Sequence, residues 1–338
     1  MQLSFERVDL KLRHTFRISR GAEDVAQVVI AKLEHDGIHG FGEASPSSRY
    51  GETIDTVLSF LERVELGDFG DPFELEQTTA HLDDLALGDA AAKAAVDIAL
   101  HDWVGRKLGL PLYKLWGLSK SKAPLTSFTI GIDSPDVITQ KVAEAESYPI
   151  LKVKLGTDHD KDIIAAVRRA TKKRIRVDAN EGWKTKELAL ERIKWLEQEG
   201  VEFVEQPMPA GDLAGCTWLG ERVNLPLIAD ENCVRLHDVP RLRDAFDGIN
   251  IKLMKCGGLR EAMRMIHTAK ALGMKTMLGC MIESSIAITA AAHLSPLVDY
   301  ADLDGNLLIT NDPFEGVKVK EGKIVLSDEP GLGVIPRD

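Results

Sequence analysis

Beyond Pro124 the chain repeats one local pattern at a steady interval. A short apolar segment is followed by an amphipathic stretch with helical spacing, about every 25 residues. The apolar segments are residues 126–130, 150–155, 174–178, 201–205, 225–230, 248–253, 275–279 and 298–302. Strands that alternate with helices bury a parallel sheet beneath the helices. Eight such units fit a (β/α)8-type barrel of roughly 200–250 residues. The competing architecture, an open doubly wound sheet, lacks the glycine-rich phosphate loop expected after its first strand.

The region ahead of the barrel is built differently. Residues 1–10 alternate apolar and polar, and 25–33 form a strongly apolar strand. Asp36-Gly37 is a turn, and 38–41 is a strand leading into Gly42-Glu43-Ala44-Ser45-Pro46. Helical spacing takes over from Thr53. It is clearest over 90–104, with Gly105 or Gly109 as the stop and Pro111 beyond. Strands followed by helices indicate an α+β unit, in which His101 and Asp102 have a packing or solvated role. After Asn311 the alternating segment 316–326 reads as strands returning to this first unit. The expected domains are 1–122, 123–310 and a tail over 311–338.

Composition narrows the function classes. The chain of 338 residues is 44% apolar and 28% charged, which excludes disorder, and no apolar run reaches membrane-spanning length. A net charge of −11 without a basic stripe argues against nucleic acid and anionic membranes as partners. The first ten residues lack the sections of a signal peptide, and Cys216, Cys233, Cys256 and Cys280 show no CxxC spacing. A cytoplasmic protein is expected, and the sequence is compatible with a homo-oligomer.

Polar residues recur at the C-terminal ends of the barrel segments: Lys152 and Lys154, then Asp178, Glu205, Asp230 and Lys252, with Asp302-Leu303-Asp304 on the last. In a barrel of this kind these ends form the active site. Lys152 and Lys154 are two apart on a strand, so both face the same way, and burying them requires counter-charge. Three carboxylates on adjacent strands without His or Cys make a hard-oxygen site suited to Mg²⁺. Asn180, Glu181, Gln206 and Glu231 are candidates to orient those ligands. Strands two and six lie across the ring, which puts Lys154 and Lys252 on opposite sides of the metal. A carboxylate substrate on Mg²⁺ has an acidified α-proton, because the developing enediolate is stabilised. A lysine beside the metal is expected to have a lowered pKa and to act as base. Two opposed lysines then make a racemase or epimerase. Asp302 and Asp304 would hold a cation, most simply a substrate ammonium.

These residues resemble the enolase superfamily, in its muconate-lactonizing subgroup, and most closely the dipeptide epimerases. The resemblance rests on Lys152-Val153-Lys154, Asp178-Ala179-Asn180, Glu205-Gln206-Pro207, Asp230-Glu231, the run Asn250 to Gly258, Gly279 to Ser284, and Asp302-Leu303-Asp304. It extends to Gly42-Glu43 and the run Leu108 to Gly117. It implies a (β/α)7β-type modified TIM barrel with an N-terminal α+β capping domain completed by the C-terminal tail. It also implies Lys154 and Lys252 as the acid/base pair, Asp178, Glu205 and Asp230 as ligands of one Mg²⁺, and Lys152 assisting at the substrate carboxylate. Thr129, Cys280 and Ile282 would line the pocket, with Asp302 and Asp304 on the dipeptide's α-ammonium. The implied reaction inverts the α-carbon of the C-terminal residue of an L-Ala-L-X dipeptide by two-base proton transfer.

In such enzymes the segment near 16–24 closes over the site and reads the side chain of X. Here Arg17 or Arg20 would serve an acidic side chain, whereas Glu23 would favour a neutral or cationic one. Lys255, three residues past Lys252, is expected to turn away from the site. The alternatives are a cycloisomerase, an o-succinylbenzoate synthase-type lyase or an N-acylamino acid racemase of the same architecture, a Schiff-base enzyme using Lys154, and a catalytically silent binding barrel.

Overall fold

The computed structural model describes residues 1–67 and 69–337. Three strands, β1 (Gln2–Ile18), β2 (Gly21–His35) and β3 (Ile38–Ala44), form an antiparallel sheet in that order. The β2–β3 turn at Asp36-Gly37 has both residues at positive φ (51° and 71°), the hairpin geometry that this pair of residues favours. The first two strands run further than the apolar pattern suggests. Phe16 pairs with Glu23 and Arg17 with Ala22, so 16–24 is the tip of a β-ribbon turned at Ser19-Arg20.

Three helices follow, α1 (Ile54–Leu61), α2 (Leu75–Leu85) and α3 (Ala90–Leu108). The alanine-rich α3 lies so close to β3 that a Cβ at Gly42 would stand 1.9 Å from the Ala95 carbonyl oxygen. Of the two glycines proposed as its stop, Gly109 is the one in the left-handed conformation (φ 69°), and Gly105 lies inside the helix.

The barrel strands are β4 (Phe128–Ile130), β5 (Ile150–Lys154), β6 (Arg174–Asp178), β7 (Val201–Glu205), β8 (Leu227–Ala229), β9 (Gly248–Ile251), β10 (Lys275–Leu278) and β11 (Tyr300–Ala301). They are parallel and adjacent in chain order. A parallel bridge between Thr126 and Ala301, with Ser127 N donating to Ala301 O at 3.2 Å, joins the first strand's entry to the last. Seven crossovers carry α-helix, and β11 is followed only by a 3₁₀ turn at Gly305–Leu307. The eighth strand–helix unit of the repeat is therefore incomplete, and the modified (β/α)7β barrel is the observed form. The chain turns up instead to pair with β1, where Arg13 N donates to Leu308 O and Thr310 N to Lys11 O, each at 2.8 Å.

The tail divides its contacts. The hairpin Lys318–Lys320/Lys323–Val325 lies at the entry to β4, with Thr126 N donating to Gly322 O at 2.8 Å. Residues 316–326 thus pack against the barrel rather than returning to the first unit, because the backbone leading into β4 finds its partner there. The return is made further on. Asp102 of α3 accepts Leu332 N (2.7 Å), Phe41 N (2.9 Å) and Arg106 Nε (3.0 Å), and Arg106 Nη2 donates to Val334 O (3.1 Å). Among the described residues no helix is long and apolar enough to cross a membrane.

Candidate active site

Register sets the site. Lys154 pairs with Asp178 and Asp178 with Glu205 across β5, β6 and β7, so their side chains stand at one level of the barrel mouth. Asp230 and Lys252 come from the residues just past β8 and β9. All are buried: the carboxylates are at most 1% exposed, and Lys152, Lys154 and Lys252 at most 7%. One oxygen from each of Asp178, Glu205 and Asp230 lies within 4.8 Å of the others.

Each carboxylate uses its two oxygens differently. One is anchored by the scaffold: Asp178 Oδ1 by Asn180 N (2.9 Å), Glu205 Oε1 by Asn250 Nδ2 (2.8 Å), and Asp230 Oδ1 by Lys255 Nζ (2.5 Å). The other meets the pocket lysines. Asp178 Oδ2 faces Lys154 (2.7 Å) and Lys152 (3.2 Å), Glu205 Oε2 faces Lys152 (2.8 Å), and Asp230 Oδ2 faces Lys252 (2.9 Å). Glu205 Oε2 has no hydrogen bond of acceptable geometry despite that close ammonium. Three converging carboxylate oxygens, one of them unsatisfied, and no nitrogen or sulfur donor fit a hard divalent cation such as Mg²⁺.

The electrostatics follow from this crowding. Burial opposes ionisation of Asp178 and Asp230, yet the adjacent lysines outweigh it and hold both carboxyls well below their ordinary value. Glu205, less well paired, is pushed up to about 7 by burial and by Asp178. Burial likewise favours neutral Lys152 and Lys252, but the surrounding carboxylates raise both above the ordinary lysine value. The acidic triad faces these two lysines directly, which is the cause. Lys255 lies outside the substrate cavity, as expected, yet it does not turn from the carboxylates. It sits on a helical turn, Leu253–Cys256, where strand alternation does not apply, and it reaches back to Asp230.

Lys152, Lys154 and Lys252 line one cavity of about 460 Å³ together with Thr129, Cys280, Ile282, Asp302 and Asp304. Asp302 is engaged by Lys152 Nζ (2.7 Å) and Ser127 Oγ (2.6 Å). Asp304 accepts Thr129 N at 2.6 Å, and burial beside Asp302 pushes its carboxyl up to about 7. The Cys280 thiol donates to Asp302 O at 3.3 Å and is held well above its ordinary value by burial.

The ribbon tip forms the outer wall of this cavity through Phe16, Ile18, Arg20, Glu23 and Val25. Arg17, one residue out of phase, is not among the lining residues. Arg20 Nη1 is occupied by Glu231 Oε1 (2.6 Å), Asn180 O (2.9 Å) and Glu181 Oε2 (3.3 Å). Partial burial raises the Glu23 carboxyl above its ordinary value. Of the proposed orienting residues, Asn180 reaches Asp178 through its backbone. Gln206 Oε1 accepts Asp230 N at 3.0 Å, whereas Glu181 and Glu231 serve the arginines.

Sequence reasoning missed three contributors. Asn250 stands in a quoted motif, but only the fold shows its amide on Glu205. Arg49 holds Glu181 with two bonds, Nε to Oε2 (2.7 Å) and Nη2 to Oε1 (2.8 Å). Glu43 accepts Ser284 N (2.8 Å), Ser284 Oγ (2.6 Å) and Ala287 N (3.1 Å), capping the helix Ser285–Leu294 behind the pocket loop 280–283. No local signal marks these partners, which lie up to 244 residues away.

Comparison with known proteins agrees with this geometry. The family described as "Mandelate racemase / muconate lactonizing enzyme, N-terminal domain" matches residues 3–117, and "Enolase C-terminal domain-like" matches 138–338. A Bacteroides thetaiotaomicron protein named L-Ala-D/L-Glu epimerase is 52% identical over 99% of this chain and 88% of its own length. A Pedosphaera parvula protein named L-Ala-D/L-amino acid epimerase is 45% identical over 98% of this chain and 97% of its own. The dipeptide epimerase from Enterococcus faecalis V583, solved with Mg and L-Leu-L-Tyr, superposes with a TM-score of 0.92 at 34% identity, covering 98% of each chain. A barrel mouth carrying these motifs and this triad, beneath a matching capping sheet, is the enolase-superfamily fold, and the chain belongs to the mandelate racemase / muconate lactonizing enzyme family.

Proposed function

We infer that the chain is a Mg²⁺-dependent dipeptide epimerase that inverts the α-carbon of the C-terminal residue of an L-Ala-L-X dipeptide. The carrying observation is that Lys154 and Lys252 reach one cavity from β5 and from the end of β9, with the three carboxylates between them. Asp178, Glu205 and Asp230 would hold Mg²⁺, and the bound ion would supply positive charge to the substrate carboxylate as its α-proton is removed. Lys154 and Lys252 exchange roles as base and acid on opposite faces of the α-carbon. Lys152 pairs with the carboxylates and assists at the substrate carboxylate. Asp304 takes the substrate ammonium, with Asp302 placing Lys152 and adding charge. Thr129, Cys280 and Ile282 shape the pocket around the dipeptide.

A neutral or cationic X is favoured over an acidic one. The lining cations are the three central lysines and Arg20, and Arg20 is bound to Glu231, while Glu23 lines the outer wall of the cavity. We place the protein in the cytoplasm, on the ground that its four cysteines are unpaired.

Incubation of an L,L-dipeptide library in D₂O with Mg²⁺ tests the reading. Deuterium enters the α-position of the C-terminal residue with inversion, and the L-Ala-L-Glu rate falls below that of neutral L-Ala-L-X. No exchange on any dipeptide sinks the epimerase assignment. Elimination of a leaving group would mark the lyase reading instead.

A further inference from the structure

We propose that Lys255 is a positioning residue of the metal centre, aiming Asp230 at the cation while contributing nothing to the substrate cavity. The inference rests on the magnesium reading above and concerns a residue that does not itself face the dipeptide.

Lys255 is 1% exposed and stands on the single helical turn Leu253–Cys256, which ends at Gly257 in the left-handed conformation (φ 93°). An ammonium carries three protons. Those of Lys255 meet three acceptors: Asp230 Oδ1 (2.5 Å), Asp230 O (2.7 Å) and Asn250 O (3.0 Å). None is left for a substrate, and Lys255 is absent from the cavity lining that includes Lys152, Lys154 and Lys252.

The pattern of partners is specific. Lys255 binds the side chain and the backbone carbonyl of the same residue, so the Asp230 carboxylate is locked in one rotation with Oδ2 turned inward. Its third partner, Asn250, is the residue whose amide holds Glu205 Oε1 at 2.8 Å. One buried ammonium therefore fixes one ligand directly and supports the residue that fixes a second. Groups that orient metal ligands in this way set affinity nearly as strongly as the ligands themselves. A lysine present only to fill space would be a poor choice, because an ammonium is costly to bury and an apolar side chain of similar volume is often at least as stable.

The test is calorimetric titration of metal-stripped, full-length protein with MgCl₂, comparing wild type, Lys255→Met and Lys93→Met. Lys93 is another buried lysine, on the helix packed beside the Gly257 end of that turn, but it is bound to Asp83 Oδ1 (2.9 Å) and Ala86 O (2.8 Å) rather than to a metal ligand. Lys255→Met is expected to weaken the Mg²⁺ Kd by about 10–100-fold and to regain turnover as Mg²⁺ is raised, whereas Lys93→Met leaves the Kd unchanged. An unaltered Kd in a folded Lys255→Met protein overturns the proposal and leaves the epimerase reading standing. A wild-type protein that binds no Mg²⁺ overturns both. Should Lys255→Met fail to fold, a crystal structure of the wild-type Mg²⁺ complex decides. Lys255 Nζ within about 3.2 Å of Asp230 Oδ1 supports the role, and Oδ1 taken over by the metal refutes it.

Discussion

Arg20 at the tip of the β1–β2 ribbon and Glu231 just past β8 are joined by an ion pair of 2.6 Å that ties the capping sheet to the residue beside Asp230. The Glu231 side chain is 1% exposed, so removing the guanidinium leaves a buried carboxylate without its cation. On this geometry Arg20 is expected to latch the ribbon, whatever the substrate side chain. Arg20→Gln should raise KM for L-Ala-L-Glu and for a neutral L-Ala-L-X by a similar factor, on the order of tenfold, or about 1.4 kcal/mol. A loss confined to the glutamate dipeptide in steady-state assays would identify Arg20 as the side-chain reader instead.

The two central lysines give a directional prediction. Lys154→Ala and Lys252→Ala should each lose epimerisation by at least about 10²–10⁴-fold. Each variant should still exchange the α-proton of one substrate epimer with D₂O, and the two variants should choose opposite epimers. Proton NMR of each L,L and L,D dipeptide measures this, and exchange of the same epimer by both contradicts the opposed-base geometry.

The paired aspartates of the last strand should separate kinetically. Asp304 accepts from Thr129 and pairs with no lysine among the described residues, so Asp304→Asn should raise KM and leave kcat nearly unchanged. Asp302 also holds Lys152 at 2.7 Å, and through it the triad, so Asp302→Asn should lower kcat as well. Identical effects of the two substitutions would remove this distinction.

A buried acid in the pocket loop makes stability depend on pH. Burial and the nearby Glu43 raise the Glu283 carboxyl from 4.5 to about 8. Between those values the folded state holds a proton that the unfolded state has released, so wild-type stability falls as pH rises through this window. Glu283→Gln removes that dependence. It should melt above wild type at pH 8, with the difference vanishing towards pH 4.5. Thermal melts across this range check it, and parallel curves would show that Glu283 ionises normally.

The architecture was legible because the barrel writes itself into the chain. Strands buried beneath helices must be short and apolar, and a parallel connection requires a helix-length return, so all eight strands appear within two residues at their starts and within one to two at most ends. The missing eighth helix left no such trace. Residues 305–311 carry only the short apolar run Leu307-Leu308-Ile309, and their pairing with β1 near Lys11 to Arg13 is a contact across about 300 positions.

The site was readable for the same reason and to the same extent. Alternation put Lys152 and Lys154 on one face, and the order of strands put Asp178, Glu205 and Asp230 on one arc with Lys252 beyond them. Those facts depend only on a period of two and a ring of eight. Which oxygen each donor holds is a matter of ångströms between distant segments, and only the tertiary structure decided it. It turned Lys255 back onto Asp230, committed Arg20 to Glu231 and left Arg17 outside the cavity. It also set the electrostatic balance at Lys152 and Lys252. A single carboxylate would leave burial dominant, whereas three converging ones overcome it, and that balance is set by packing rather than by residue type.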